Sequence, residues 1–360
     1  MKNKHIDYIL LITIILLSIM GLLFVYSASN VVGAEKFNDS YYFVKRQGLF
    51  FILSTILLFY LIKLDITILK KYVTIIFIFS IILLLIVLIP GVGVVRGGAR
   101  SWISILGFSI QPSEFMKLGI ILLYAKYLEN NYKELKSFKS FLMLFSLSIL
   151  IFLIIMLQPD FGTGIVIVIS SLILIYVSGI PYKYLIIIGI CGVLGCIALI
   201  ISAPYRLERI MAFINPWNDP LGAGFQGIQS LFAITPGGLF GHGFNNSIQK
   251  HFFLPEPQND FIFAIVLEEI GLIGGLFILS LFLLIIYRGI KNSINTSNLF
   301  IKFLSLGIVI TLASQVFINV GVVVGLLPVT GITLPLFSYG GSSLLITMIQ
   351  MGILISSSKY

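Results

Sequence analysis

The chain has 360 residues, of which 58% are hydrophobic and only 10% charged, with a mean hydropathy of +1.09. Soluble proteins carry about a quarter charged residues, so this composition excludes a soluble globular enzyme and points to a polytopic membrane protein. The formal charge of +9 comes mostly from Lys and Arg in short loops between apolar runs, without the basic stripe of a nucleic-acid-binding surface.

The first apolar run, near 7–27, follows Lys2 and Lys4. No Ala-x-Ala-like site with a following soluble domain appears, so it reads as a retained span rather than a signal peptide. Further apolar segments fall near 48–63, 72–89, 113–128, 140–157, 161–179, 184–202, 260–288, 299–325 and 338–356. Each is long enough, or nearly so, to cross about 30 Å of hydrocarbon. The expected fold is therefore an all-α polytopic membrane protein of about ten transmembrane helices in one membrane-embedded domain spanning 1–360. Most Lys and Arg residues, among them Lys63, Lys70, Lys71, Lys126, Lys139, Lys183, Arg288, Lys291 and Lys359, fall on the side of the N-terminus. The positive-inside bias then places both termini in the cytoplasm. Cys191 and Cys196 share one apolar run and read as buried small hydrophobes.

Four stretches fall on the outer face in this topology: 91–112, the tight turn at 158–164, a long extracellular loop at about 203–259 before the eighth span, and 327–343. The long loop mixes Trp217 and several Phe residues with turn residues, and 224–234 has the pattern of a short amphipathic helix. Its glycines at 237, 238, 241 and 243 allow close approach of backbone to backbone or to a ligand. Such a loop is expected to fold back on the membrane domain as a lid or groove wall.

The charges near these stretches need a reason, since ionisable groups in or beside a span are costly. Asp260, before the eighth span, reads either as a helix N-cap or as a general base whose pKa apolar surroundings raise. Glu268 and Glu269 follow within the span and read as paired structural groups or as coupling groups in the helix bundle. Glu114 and Lys117 are spaced for an intramembrane ion pair, structural or facing an anionic substrate. Asp160, after Pro159, suits the start of a helix. Arg206 and Arg209 share a helical face, and either bind lipid headgroups or clamp a pyrophosphate. His242 and His251 lack the neighbours of a metal site, so none is assigned.

Several stretches together resemble the SEDS family of cell-wall proteins, which includes RodA, FtsW and SpoVE. They are Trp102 with Gln111-Pro-Ser-Glu-Phe-Met-Lys117, Gln158-Pro-Asp-Phe-Gly162, Arg206-Leu-Glu-Arg209, Asn215-Pro-Trp-Asn-Asp-Pro-Leu-Gly222, Gly224-Phe-Gln-Gly-Ile-Gln-Ser230, Leu254-Pro-Glu-Pro-Gln-Asn-Asp-Phe-Ile-Phe-Ala264, and the block from Leu327 to Ser343. The Pro-Glu-Pro-Gln and Pro-Val-Thr-Gly-Ile-Thr-Leu-Pro runs look closer to the FtsW/SpoVE branch. One departure is Asn259, where the family usually has Thr; Asn keeps a side-chain hydrogen bond, so little loss is expected.

The resemblance implies a peptidoglycan glycosyltransferase of the bacterial cytoplasmic membrane. Such an enzyme polymerises lipid II at the outer face and works with a class B penicillin-binding protein transpeptidase. It implies Asp260 as the essential acid. Glu114, Lys117, Asp160, Arg206 and Arg209, with Gln229 and Glu256 from the matched stretches, become the substrate-binding set. The pyrophosphate leaving group admits a divalent cation, Mg or Mn, beside protein charges. The alternatives are a lipid II flippase or a non-catalytic divisome scaffold.

Overall fold

The computed structural model describes the chain outside residues 1–5, 97–98, 106, 133–134, 136, 185, 191, 193–210, 212 and 223. Its helices are α1 (Tyr8–Phe37), α2 (Tyr42–Lys63), α3 (Leu69–Ile86), α4 (Pro112–Asn130), α5 (Phe138–Met156), α6 (Phe161–Val177), α7 (Phe225–Gly237), α8 (Ile262–Asn295), α9 (Leu299–Val323) and α10 (Gly341–Ser357). Among the described residues, six helical stretches are long and apolar enough to cross a membrane: α1, α2, Ile66–Ile86 containing α3, α5, α8 and α9; α6 and α10 are shorter apolar helices. The chain is a multi-pass membrane protein. The most apolar part of α9 is 78% buried, against 17% for Ile66–Ile86. α9 is thus the central post of the bundle, and α3 turns an apolar face outward, as lipid contact requires.

The fold is not wholly α. Three antiparallel strands, β1 (Gly93–Arg96), β2 (Ala99–Ile105) and β3 (Phe108–Ile110), form a small sheet in the order β1-β2-β3. β-branched residues at Val94, Val95, Ile103 and Ile110 favour strands. Gly91 and Gly107 take positive φ at the turns. Arg46 of α2 pins the sheet: its guanidinium donates to Gly107 O at 2.9 Å and lies over the Tyr42 and Phe108 rings. The expected spans also shift. α1 continues ten residues beyond its expected end, because nothing breaks the helix before Asn38 adopts a left-handed conformation. The seventh expected span lies largely outside the described residues.

The first and last parts of the chain meet at one end of the bundle. Arg288 of α8 grips Asp7 through two hydrogen bonds of 2.7 and 3.0 Å, Asn292 adds a third, and Asp7 N–H donates to Ser358 Oγ. Asp7 also caps α1 by accepting from Leu10 N–H.

At the opposite end, α8 is interrupted at Gly271 (φ 66°, ψ −171°). The loop after α7 repairs the break. His242 and Gly243 donate their N–H groups to the carbonyls of Glu268 and Glu269, and Leu272 and Ile273 donate to Gly238 and Leu239. Backbone groups in or near hydrocarbon need such partners. The contact requires glycine: a Cβ on Gly241 would lie 2.2 Å from Glu269 O, and one on Gly271 2.5 Å from the Leu239 carbonyl. The loop therefore folds back on the membrane domain, as its glycines predict.

Candidate active site

Four separate stretches converge at the end of the bundle opposite Asp7, and the segment 330–340 joins them. Gln47 of α2 donates to Ser338 O and accepts from Gly340 N–H. Tyr339 N–H donates to Gln258 O at 2.8 Å. On α9, Gln315 donates to Thr333 O at 3.1 Å, and Asn319 donates to Ile332 O at 2.7 Å. Gly162, at the start of α6, sits so close that a Cβ there would lie 2.5 Å from Thr330 O.

Asp260 stands in the turn before α8. The helix begins at Ile262, its cap residue is Phe261, and no side chain caps it; the N-cap reading of Asp260 does not apply. The residue keeps a half-exposed edge while protein atoms crowd its carboxyl group, and burial pushes the pKa up from 3.8 to about 6. Nearby Glu256 adds a smaller push in the same direction. Asn319 Nδ2 holds the Asp260 carbonyl at 2.8 Å. Glu256 is exposed, and Asn259 Nδ2 donates to its carboxylate at 2.6 Å. Asn259 thus keeps a side-chain hydrogen bond in the turn.

Lys117 and Glu114 form the expected pair on α4. Lys117 Nζ lies 2.8 Å from Glu114 Oε2, and both side chains are almost wholly buried. Lys117 also donates to Gln315 Oε1 at 2.8 Å. The ion contact is not aligned as a hydrogen bond, and Glu114 Oε2 has no hydrogen-bond donor. Gln315 and Asn319, one helical turn apart on α9, therefore link the buried ion pair to the Asp260 turn through 332–333. Neither was among the expected site residues. The signal was present, since amides four apart in an apolar span share one face.

Asp160 is a helix cap, accepting from Thr163 N–H at 3.2 Å. Its other oxygen accepts from Gln111 Nε2 at 2.8 Å and Ser113 Oγ at 2.9 Å, tying the start of α4 to the start of α6. Gln229 lies half-exposed on α7, beside Ser230, whose hydroxyl donates to Val323 O. Arg206 and Arg209 lie outside the described residues.

Glu268 and Glu269 grip the returning loop. Glu268 accepts from Ser247 Oγ at 2.5 Å, Ile248 N–H at 2.7 Å and Gln249 N–H at 3.3 Å. Glu269 accepts from Asn245 and Ser247 N–H and from Ser27 Oγ of α1, with Lys250 Nζ at 3.7 Å. From Asp7 to Ser27 the α1 axis rises roughly 30 Å, the thickness of the hydrocarbon. The two glutamates thus lie about that distance along α1 from the Asp7 end.

Asn319 Oδ1, Gln258 Oε1 and Thr330 Oγ1 in this network are buried without a hydrogen-bond partner, as are polar atoms elsewhere in the bundle. Among the described residues no group of three His, Cys, Asp or Glu side chains is assembled to hold a metal ion.

Residues 7–360 match the family described as cell cycle protein, designated by FtsW, RodA and SpoVE. The chain belongs to the FtsW/RodA/SpoVE family. It is 48% identical over 360 residues to stage V sporulation protein E of Bacillus subtilis (strain 168), covering 100% of this chain and 98% of that one. It is 39% identical over 353 residues to a probable peptidoglycan glycosyltransferase FtsW of Geobacter sp. (strain M18), covering 98% and 96%. A chain in a solved peptidoglycan synthase complex, one that coordinates polymerization and crosslinking, superposes with a TM-score of 0.81 at 28% identity, with 98% of each chain covered. Thermus thermophilus RodA superposes with a TM-score of 0.72 at 26% identity, covering 98% of this chain and 97% of that one. In this family member, the convergence described above joins stretches from opposite parts of the chain.

Proposed function

We propose that this chain is a peptidoglycan glycosyltransferase that polymerises lipid II at the outer face of a bacterial cytoplasmic membrane. The observation that carries the reading is Asp260: a crowded carboxyl group with a raised pKa, not used as a cap, in a family whose members include named peptidoglycan glycosyltransferases. Such a carboxylate is poised to accept a proton near neutral pH.

Asp260 takes the proton from the acceptor sugar hydroxyl. That oxygen forms its bond to the donor's anomeric carbon as the bond from that carbon to the pyrophosphate oxygen breaks. Attack opposite the leaving group inverts the anomeric centre, and the electron pair leaves on the polyprenyl pyrophosphate. Positive charge stabilises that pyrophosphate. Arg206 and Arg209 are assigned this work. The Lys117 ammonium is engaged by Glu114 and Gln315, so it acts here as a fixed buried charge. Gln229 and Glu256 flank the substrate, and Asp160 sets the α4 and α6 starts. The orphan acceptors around Asn319 suit the hydroxyl and amide donors of an amino-sugar substrate.

The topology that fits is ten spans with both termini in the cytoplasm, supported by the hydrogen bond between residues 7 and 358. A class B penicillin-binding protein transpeptidase is the proposed partner, in keeping with the synthase complex whose chain this one matches. The test is polymerisation of lipid II in detergent by the purified chain with that partner. Polymer formed by wild type and lost in Asp260→Asn supports the reading. A flippase or scaffold makes no polymer in detergent, and that result would remove the enzymatic reading. Adding a chelator tests whether a divalent cation, Mg or Mn, takes part.

A further inference from the structure

We infer that Asn319 is a positioning residue for Asp260, acting through the main chain of the turn that carries it. The inference rests on the proposed glycosyltransferase reading and deepens it. Its starting point is how little holds the Asp260 side chain directly. Among the described hydrogen bonds, no side chain donates to its carboxyl group. The place of that group is therefore set by the backbone of 256–261.

That backbone is clamped at two carbonyls. Tyr339 N–H holds Gln258 O, and Asn319 Nδ2 holds Asp260 O at 2.8 Å. Phe261, the next residue, is fully buried and fixes the following corner. The Tyr339 clamp is a main-chain donor and survives side-chain substitution. The Asn319 clamp is a side chain, and its amide nitrogen also donates to Ile332 O at 2.7 Å. One NH2 group thus spans two segments and sets the distance between the Asp260 turn and 330–333. Asn319 is itself buried, on the most enclosed of the long apolar helices. A carboxylic acid of the same shape would bring no NH2 donor to these two carbonyls.

The consequence is a defined kinetic signature. Loosening the turn moves the base by a fraction of a bond length or more relative to the acceptor hydroxyl, and displacement of about 1 Å costs on the order of a hundredfold in rate. It also opens the carboxyl group to water, which lowers its pKa toward the ordinary carboxylate range. Among the described residues, the other titratable groups linked to the turn are Glu256 on the same loop, Tyr339 on the facing segment, and the Glu114–Lys117 pair reached through Gln315; α7 contributes none.

The experiment compares wild type, Asn319→Ala, Asn319→Ser and Asp260→Asn, each purified with its partner and assayed for lipid II polymerisation from pH 4.5 to 8.5. Asn319→Ala is expected to lower kcat about tenfold to a hundredfold, with KM for lipid II changed less than about twofold and the acid limb of the rate–pH profile moved downward. Asn319→Ser, which keeps a short donor, is expected to recover part of kcat, and it carries the test if Asn319→Ala is not monodisperse. Wild-type kcat and an unmoved acid limb in the folded Asn319 variants, with Asp260→Asn inactive, would overturn the inference and leave the glycosyltransferase reading standing. So would a fall in kcat/KM carried by a raised KM with kcat kept, which is the mark of lost binding rather than of a displaced base. Polymerisation by Asp260→Asn would instead overturn the assignment of the base.

Discussion

Asp260 carries a carboxyl group that burial makes hard to ionise, and two measurable consequences follow. With a pKa of about 6, the base is proton-free only above that pH, so the polymerisation rate should fall about tenfold per pH unit below it. The folded-state value lies above the ordinary 3.8, so the native state binds this proton more tightly than the unfolded chain. Its contribution to stability is fully present below pH 3.8 and is lost as the pH rises through about 6. Asp260→Asn, which stays neutral, should melt above wild type at pH 7.5 and with wild type at pH 4. The ceiling is about 3 kcal/mol, from the gap between the two pKa values. Thermal unfolding at the two pH values measures it, and equal melting at pH 7.5 would mean that the carboxylate is not desolvated. Asp160 offers the contrast. Both aspartates stand just before an apolar helix, but only Asp160 caps one. Sequence spacing alone left both readings open, because a cap depends on the φ and ψ of one residue.

At the scale of elements, α4 and α9 are joined through a buried charge, and α8 is held to its returning loop by two more. Removing one partner of a buried pair leaves the other uncompensated, at about 3–5 kcal/mol. Lys117→Met and Glu114→Gln should each destabilise by that order, and the double variant should recover most of the melting temperature. If the pair also serves the reaction, the double variant stays inactive although folded; regained polymerisation would make the pair structural only. Glu268→Ala removes the acceptor of the Ser247 hydroxyl and of the N–H groups of Ile248 and Gln249. The expected loss is about 2–4 kcal/mol, with faster proteolysis inside 238–250, and unchanged protease resistance would deny the anchoring role. The pairing of Glu114 with Lys117 was legible from their spacing, and the helix at 225–237 from its amphipathic pattern. The β-sheet was not. Its strands are short, and their pairing depends on turns that periodicity does not encode. The target of the 237–243 glycines was equally hidden, because it is the broken backbone of a helix that reads in sequence as one continuous span.

The whole molecule is a bundle with two unlike ends. One end is closed by Asp7, Arg288, Asn292 and Ser358. At the other, α2, α4, α6, α9, the Asp260 turn and the segment 330–340 meet in one hydrogen-bonded network. Composition and apolar run lengths made the membrane class and most helices readable, and the order of the motifs made the family readable. The assembly of the site was not readable from them, since Gln315 and Asn319 act through carbonyls of distant segments and carry no motif of their own. The central claim is that Asp260 is the base of a lipid II polymerase. The most direct measurement is glycan chain formation from lipid II in detergent by wild type and by Asp260→Asn, each with the partner transpeptidase and each shown to be folded. The account predicts polymer from wild type and a loss of at least about a hundredfold in the variant. Wild-type polymer from Asp260→Asn would contradict it.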